Sequence, residues 1–256
     1  MLSHRLLAVF IFSSFRGFIC LRDTTARTDL KVMYGTRNMT KGPAMTRDEA
    51  IKGIEAGIAM VEELKAQGYR LFATGEMGIG NTTTSSAVAS VLLGQPVETM
   101  TGRGAGLSSD GLTRKIQAIK KAIDLNKPDA KDSIDVLAKV GGLDIAGMAG
   151  VYLGGAALQI PVLIDGFISG VAALVAARIC PEAADYMIAS HVSKEPDKGQ
   201  WLQCLPQDTC QHEAQLLFQA HPEQDVLPVL WTHDWRSYNP LPPGKVWLLQ
   251  VRQLRK

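Results

Sequence analysis

The chain has 256 residues, a formal net charge of +2 at pH 7, 46% hydrophobic and 20% charged residues, which suits one large globular domain or two small ones. So even a charge balance, with no long Lys/Arg run and no aromatic stacking motif, argues against a nucleic-acid-binding protein. Cys20, Cys180, Cys204 and Cys210 form no CxxC pair and stand at no metal-ligand spacing from a histidine, so they read as isolated thiols in a reducing compartment, with no metal site.

The chain begins with an apolar run, Leu6-Leu-Ala-Val-Phe-Ile-Phe12, preceded by His4 and Arg5 and followed by Arg16 and Arg22. It is shorter than the ~20 apolar residues that a membrane-spanning helix requires. Its flanks suggest either a secretory signal without a clear cleavage site or a leader foreign to the fold. Residues 1–33 are therefore set apart as a leader that should pack poorly against the rest. The expected location is cytoplasmic, with no membrane partner.

From residue 34 the pattern becomes regular. Thr46-Arg-Asp-Glu49 is a capping box. Ile51, Ile54, Ile58, Val61 and Leu64 follow at helical spacing, and Gly68 ends the helix. Residues 69–74 read as a buried strand. The turn Thr74-Gly-Glu-Met-Gly-Ile-Gly80 then leads into a hydroxyl-rich helix at about 82–93, which Gly94-Gln-Pro96 breaks. Strand, glycine turn and helix start together make an anion-binding arrangement: glycines allow close backbone approach, and the first helical N–H groups point at negative charge. Glu76, inside that turn, must face a different part of the ligand.

A second glycine loop, Thr101-Gly-Arg-Gly-Ala-Gly-Leu107, precedes a helix that Ser108 or Ser109 can cap, with Leu112, Ile116, Ile119 and Ile123 as its apolar stripe. A short helix is expected over about 133–139, stopped by Gly141-Gly142, then a buried Ala/Gly-rich helix over 143–158. The strand Ile160–Asp165, a helix over 168–179 and the strand Tyr186–Ser190 complete the pattern. Asp144, Gln159, Pro161 and Asp165 interrupt the apolar stretch 143–178, which favours a buried core over a membrane span. Alternating strands and helices predict an α/β fold: a Rossmann-like parallel sheet with helices on both faces, and strands 69–74, 161–165 and 186–190 as central neighbours. Ligands in such sheets sit beyond the carboxyl ends of the strands. Glu76, Asp165, and His191, Ser193 and Glu195 lie there.

Composition shifts again near residue 197. All four tryptophans, Trp201, Trp231, Trp235 and Trp247, come after it, and glycine nearly vanishes. Weak periodicity suggests that 197–256 is either a small appendage or sequence unrelated to the fold.

Considered singly, these motifs are ordinary. Gly75-Glu-Met-Gly-Ile-Gly80 has neither the dinucleotide-binding spacing nor a following Gly-Lys-Ser/Thr. Lys115 alone would be a solvated helix residue, Asp165 a helix cap and His191 a hydrogen-bonded structural residue. Together, two glycine loops, Lys115 and a strand-end aspartate fit a phosphate and its sugar.

Six runs, in order, carry a resemblance: Gly35-Thr-Arg-Asn-Met-Thr-Lys-Gly-Pro-Ala-Met-Thr-Arg47, Gly75-Glu-Met-Gly-Ile-Gly-Asn-Thr-Thr83, Gly102-Arg-Gly-Ala-Gly-Leu107, Val140-Gly-Gly-Leu-Asp-Ile-Ala146, Pro161-Val-Leu-Ile-Asp-Gly-Phe-Ile-Ser169 and Ala189-Ser-His-Val-Ser-Lys-Glu-Pro196. Residues 34–196 closely resemble the nicotinate-nucleotide–dimethylbenzimidazole phosphoribosyltransferase family, with the family's small domain largely missing. The resemblance implies transfer of phosphoribose from nicotinate mononucleotide to a benzimidazole nitrogen, giving α-ribazole 5′-phosphate for the lower ligand of cobalamin. It implies no cofactor, two small-molecule substrates and a homodimer. It places Glu76 and Asp165 near the ribose and nicotinate. Asn81, Thr82, Thr83, Gly104, Lys115 and Ser193 become phosphate and ribose contacts, with Gly78, Gly80 and Gly102 in the binding loops. The family's catalytic glutamate sits in a Leu-Gly-Glu-Gly-Thr-Gly run. No such run follows Pro196, and neither Glu213 nor Glu223 matches it, so no catalytic base is assigned. The expectation is an impaired enzyme. The alternatives are a non-catalytic nicotinate-mononucleotide-binding protein and an unstable truncated product.

Overall fold

The computed structural model describes residues 32–190 except Met77 and Ala105, together with three short strands upstream. The tail 197–256 lies outside the described residues. In chain order the elements are β1 (Leu7–Ser13), β2 (Phe18–Cys20), β3 (Arg27–Asp29), α1 (Arg47–Ala66), β4 (Leu71–Glu76), α2 (Thr82–Leu93), α3 (Ser109–Asn126), α4 (Ser133–Val140), α5 (Leu143–Ala157), β5 (Val162–Ile164), α6 (Phe167–Ile179), a 3₁₀ turn (Pro181–Tyr186) and β6 (Met187–Ala189).

The sheet runs β3-β2-β1-β4-β5-β6. β1, β4, β5 and β6 are parallel, while β1-β2 and β2-β3 pair antiparallel. The expected neighbours β4, β5 and β6 therefore lie side by side, with β6 at the edge of the described sheet rather than at its centre. The leader differs from expectation: Leu7–Ser13 pairs with β4 from Leu7↔Leu71 to Phe12↔Glu76. The physical reason is general. A run rich in Val, Ile and Phe favours extended backbone, and the open edge of β4 presents unpaired N–H and C=O groups that such a run can satisfy.

Both crossovers, β4 to β5 and β5 to β6, step in the same direction across the sheet, so right-handed connections bring their helices to one face. α5 and α6 accordingly pack on each other and on the strands, and Phe72, Thr74 and Val162 are buried. Leu163 and Ile188 pair on the opposite face and are buried there, outside the contiguous core.

Local sequence signals explain the element ends. Thr46 and Glu49 form the capping box at the start of α1. At its end, Gly68 adopts φ 100°, and the Tyr69 N–H donates to the Leu64 carbonyl while the Gly68 N–H donates to Lys65, a Schellman ending. That ending takes up Tyr69, so β4 begins at Leu71 rather than at 69. Ser108 caps α3 and Asp132 caps α4. The run Gly35–Arg47 is architectural. Arg37 holds Glu49 through two bonds of 2.7 and 2.9 Å, Ala44 and Met45 donate to the carbonyls of Lys139 and Ala138, and Asn126 Nδ2 donates to the Met39 carbonyl.

α1 lies against α5 through small residues. A Cβ on Gly57 would collide with the Gly147 carbonyl oxygen, and one on Gly150 with the Ile54 carbonyl oxygen. Backbone thus touches backbone where the helices cross. Gly150→Ala should lower unfolding stability by ~3 kcal/mol, because overpacking there must separate two helices. Gly42→Ala, where a Cβ meets open space, should be near neutral. Urea denaturation of the two variants checks this, and equal midpoints would refute the contact.

Candidate functional site

Glu76 closes β4, and its Oε2 accepts the Gly78 N–H at 2.9 Å. Gly78 and Gly80 hold φ values of 74° and 86°, a region that glycine enters without penalty. This turn delivers Asn81 to the N-cap of α2, yet the Asn81 side chain makes no capping bond. Instead its Nδ2 donates to Asp144 Oδ2 at 2.8 Å. The first N–H groups of α2, from Thr82 to Thr84, are left without that side-chain cap, as an anion-binding helix start requires.

Lys115 joins the two glycine loops. Its Nζ donates to Thr82 Oγ1 at 2.9 Å and to the Gly102 carbonyl at 3.0 Å. The side chain is only 7% exposed, which a solvated helix residue would not be. Gly104, at φ 54°, lies so close that a Cβ on it would meet Thr82 Oγ1 at 2.9 Å. Loops 75–83 and 102–107 therefore meet at Thr82, with a buried ammonium between them. Thr83 is half-buried on the first turn of α2.

Asp165 follows β5 directly and is exposed. Continuing the register beyond Ala73↔Leu163 sets Asp165 opposite Gly75, one residue from Glu76, on the same sheet edge. Beneath it, Thr74 Oγ1 and the Tyr152 hydroxyl lie 2.6 Å apart. Burial, and to a smaller degree the Asp165 charge, hold the Tyr152 phenol neutral. Ser193, like His191 and Glu195, lies outside the described residues. Among the described residues no group of His, Cys, Asp and Glu could hold a metal ion, and no helix is long and apolar enough to cross a membrane.

Sequence reasoning missed Asp144 as a site residue. It is 5% exposed, at the first turn of an otherwise apolar helix. Burial, opposed by the Asn81 bond and reinforced by the nearby Glu76 charge, pushes its carboxyl from 3.8 up to about 6. The available signal was a lone carboxylate immediately after Gly141-Gly142-Leu143, where a packed helix begins.

The model of a family described as phosphoribosyltransferase matches residues 16–212, past both ends of the span marked by the motifs. The chain is 59% identical over 175 residues to the nicotinate-nucleotide–dimethylbenzimidazole phosphoribosyltransferase of Acetivibrio thermocellus, covering 68% of this chain and 50% of that protein. It is 58% identical to the counterpart from Clostridium acetobutylicum, over 67% of this chain and 49% of that protein. A solved structure of the Thermus thermophilus enzyme aligns with a TM-score of 0.63 at 39% identity, covering 68% of this chain and 51% of that one. A CobT structure from the same organism aligns at 0.65 and 33%, covering 88% and 60%. The chain spans about half the length of the curated relatives it matches.

Because the Asp144 carboxyl is raised in the folded state, the unfolded chain ionises first. Stability should fall as pH rises from about 4 to about 6, by ~3 kcal/mol in total. Asp144→Asn should remove that fall and make the protein more stable than the parent at pH 7.5. Urea titrations between pH 4 and 7.5 test this. Parallel curves for both proteins would contradict the buried charge.

Proposed function

We propose, because this chain belongs to the nicotinate-nucleotide–dimethylbenzimidazole phosphoribosyltransferase family, that its core binds nicotinate mononucleotide and presents the phosphoribosyl group for transfer to 5,6-dimethylbenzimidazole. The product would be α-ribazole 5′-phosphate, with nicotinate released and inversion at the anomeric carbon.

The observation that carries this reading is the bridge from Lys115 to Thr82 and Gly102. It places a cation beside the uncapped start of α2, where a phosphate gains from charge, dipole and N–H donors together. Thr82, Thr83, Gly102 and Gly104 then surround the phosphate, and Gly78 and Gly80 shape the approach. Glu76 and Asp165 stand at the strand ends, where a sugar extending from that phosphate would lie. Carboxylates there favour the positive charge that develops on the ribose as nicotinate departs. The incoming azole must also lose a proton to a base. The family's Leu-Gly-Glu-Gly-Thr-Gly run does not occur in these residues, and no described residue is assigned as the base. We therefore read the chain as a donor-binding core with slow turnover. Residues 34–196 hold the donor site, 1–33 contribute β1 to the same sheet beside β4, and 197–256 are a divergent tail.

Isothermal calorimetry with nicotinate mononucleotide should show binding that Lys115→Ala weakens by about tenfold or more, the loss of one charge-assisted contact. Unchanged affinity in the folded variant would remove Lys115 from the phosphate site. Incubation of the chain with nicotinate mononucleotide and dimethylbenzimidazole, followed by chromatography for α-ribazole 5′-phosphate, should give a rate ~10²–10⁴-fold below that of a full-length relative. A comparable rate would show that another residue supplies the base.

A further inference from the structure

Asn81 is 2% exposed, and its two amide ends are treated differently. The nitrogen donates to Asp144. The carbonyl oxygen Oδ1 is buried and has no hydrogen-bond partner among the described residues. A residue at an N-cap would ordinarily spend that oxygen on the helix's own N–H groups, and here it does not. Leaving a buried acceptor unsatisfied costs stability, so such an atom in a folded protein calls for an explanation. An ionised carboxylate can only accept, so it draws the amide nitrogen toward itself and turns the oxygen away. Glu76, the other carboxylate near Asp144, reinforces the negative charge on that side.

We infer that Asp144 is a positioning residue: it fixes the Asn81 amide so that Oδ1 can accept a hydrogen bond from a ribose hydroxyl of the bound nucleotide, the contact that the family resemblance already implies for Asn81. The inference rests on the phosphate placement argued above. Thr82, next in the chain, contacts Lys115 at that phosphate position, and consecutive Cα atoms lie about 3.8 Å apart. The sugar hydroxyls of a nucleotide anchored there fall within reach of the preceding residue. The ligand must bring a donor, and the phosphate and carboxylate of nicotinate mononucleotide are acceptors when ionised, whereas the ribose hydroxyls donate.

The test compares nicotinate mononucleotide with its 2′,3′-dideoxy analogue by calorimetry on the full chain. The parent chain should bind the analogue about tenfold more weakly. Asn81→Ser and Asp144→Ala should each lose about that factor for nicotinate mononucleotide and almost nothing for the analogue. Asp144→Asn, whose own carbonyl can still accept from Asn81, should keep the preference. A purely structural role for Asp144 would weaken both ligands alike and overturn the inference. So would a parent chain that binds the two ligands equally well, a comparison that needs no variant to fold. A chain that binds nicotinate mononucleotide without discriminating the analogue overturns this inference alone. A chain that binds neither ligand overturns the donor-site reading with it.

Discussion

The approach of α1 to α5 is the constraint from which the rest of the core follows. Gly57 and Gly150 let the two helices meet backbone to backbone, and Gly53 and Gly154 extend the same seam toward Ala146 and Val61. Close-packed interiors do not absorb an extra methyl group there without moving a whole element. α5 also packs on α6 and on the strands, so its position relative to α1 sets where its first turn lies. That turn carries Asp144, and Asp144 in turn holds Asn81 at the start of α2. A helix contact that glycines permit thereby sets the orientation of one amide in the candidate site.

The site is electrically divided. Lys115 and the start of α2 make one end favourable to an anion. Glu76 and Asp165 stand at the neighbouring strand ends, Asp144 lies near Glu76 on the first turn of α5, and together they favour positive charge. The raised Asp144 carboxyl expresses the cost of this grouping, chiefly through burial and secondarily through Glu76. Such an arrangement suits a molecule that bears a phosphate at one end and develops positive charge a few ångströms away. The helix start alone would accept any small anion. The carboxylates beside it narrow the choice.

Much of the fold is legible along the chain because its signals are local. The capping box at Thr46 and the glycine endings at Gly68 and Gly94 depend on a few adjacent residues and are found as expected. The family resemblance implies a phosphate contact for Lys115, although its burial cannot be read from a basic helix face. Residues 7–13 look like a leader because their flanking charges resemble a targeting segment. Their pairing with β4 depends on a partner more than sixty residues away, which no local pattern reveals. Asp144 argues only against a membrane span when met in the sequence, since a lone acid in an apolar helix has no meaning until its neighbour is known.

The succession of strands and helices, the two glycine loops and the family are all fixed by the linear sequence. They depend on backbone preference, hydrophobic period and ordered motifs, each written along the chain. Which groups share a hydrogen bond is settled by folding in three dimensions: Lys115 with Thr82 and Gly102, and Asn81 with Asp144. These partners come from different helices and loops. Their meeting depends on how closely glycine lets α1 and α5 approach, a packing condition with no period or spacing to announce it.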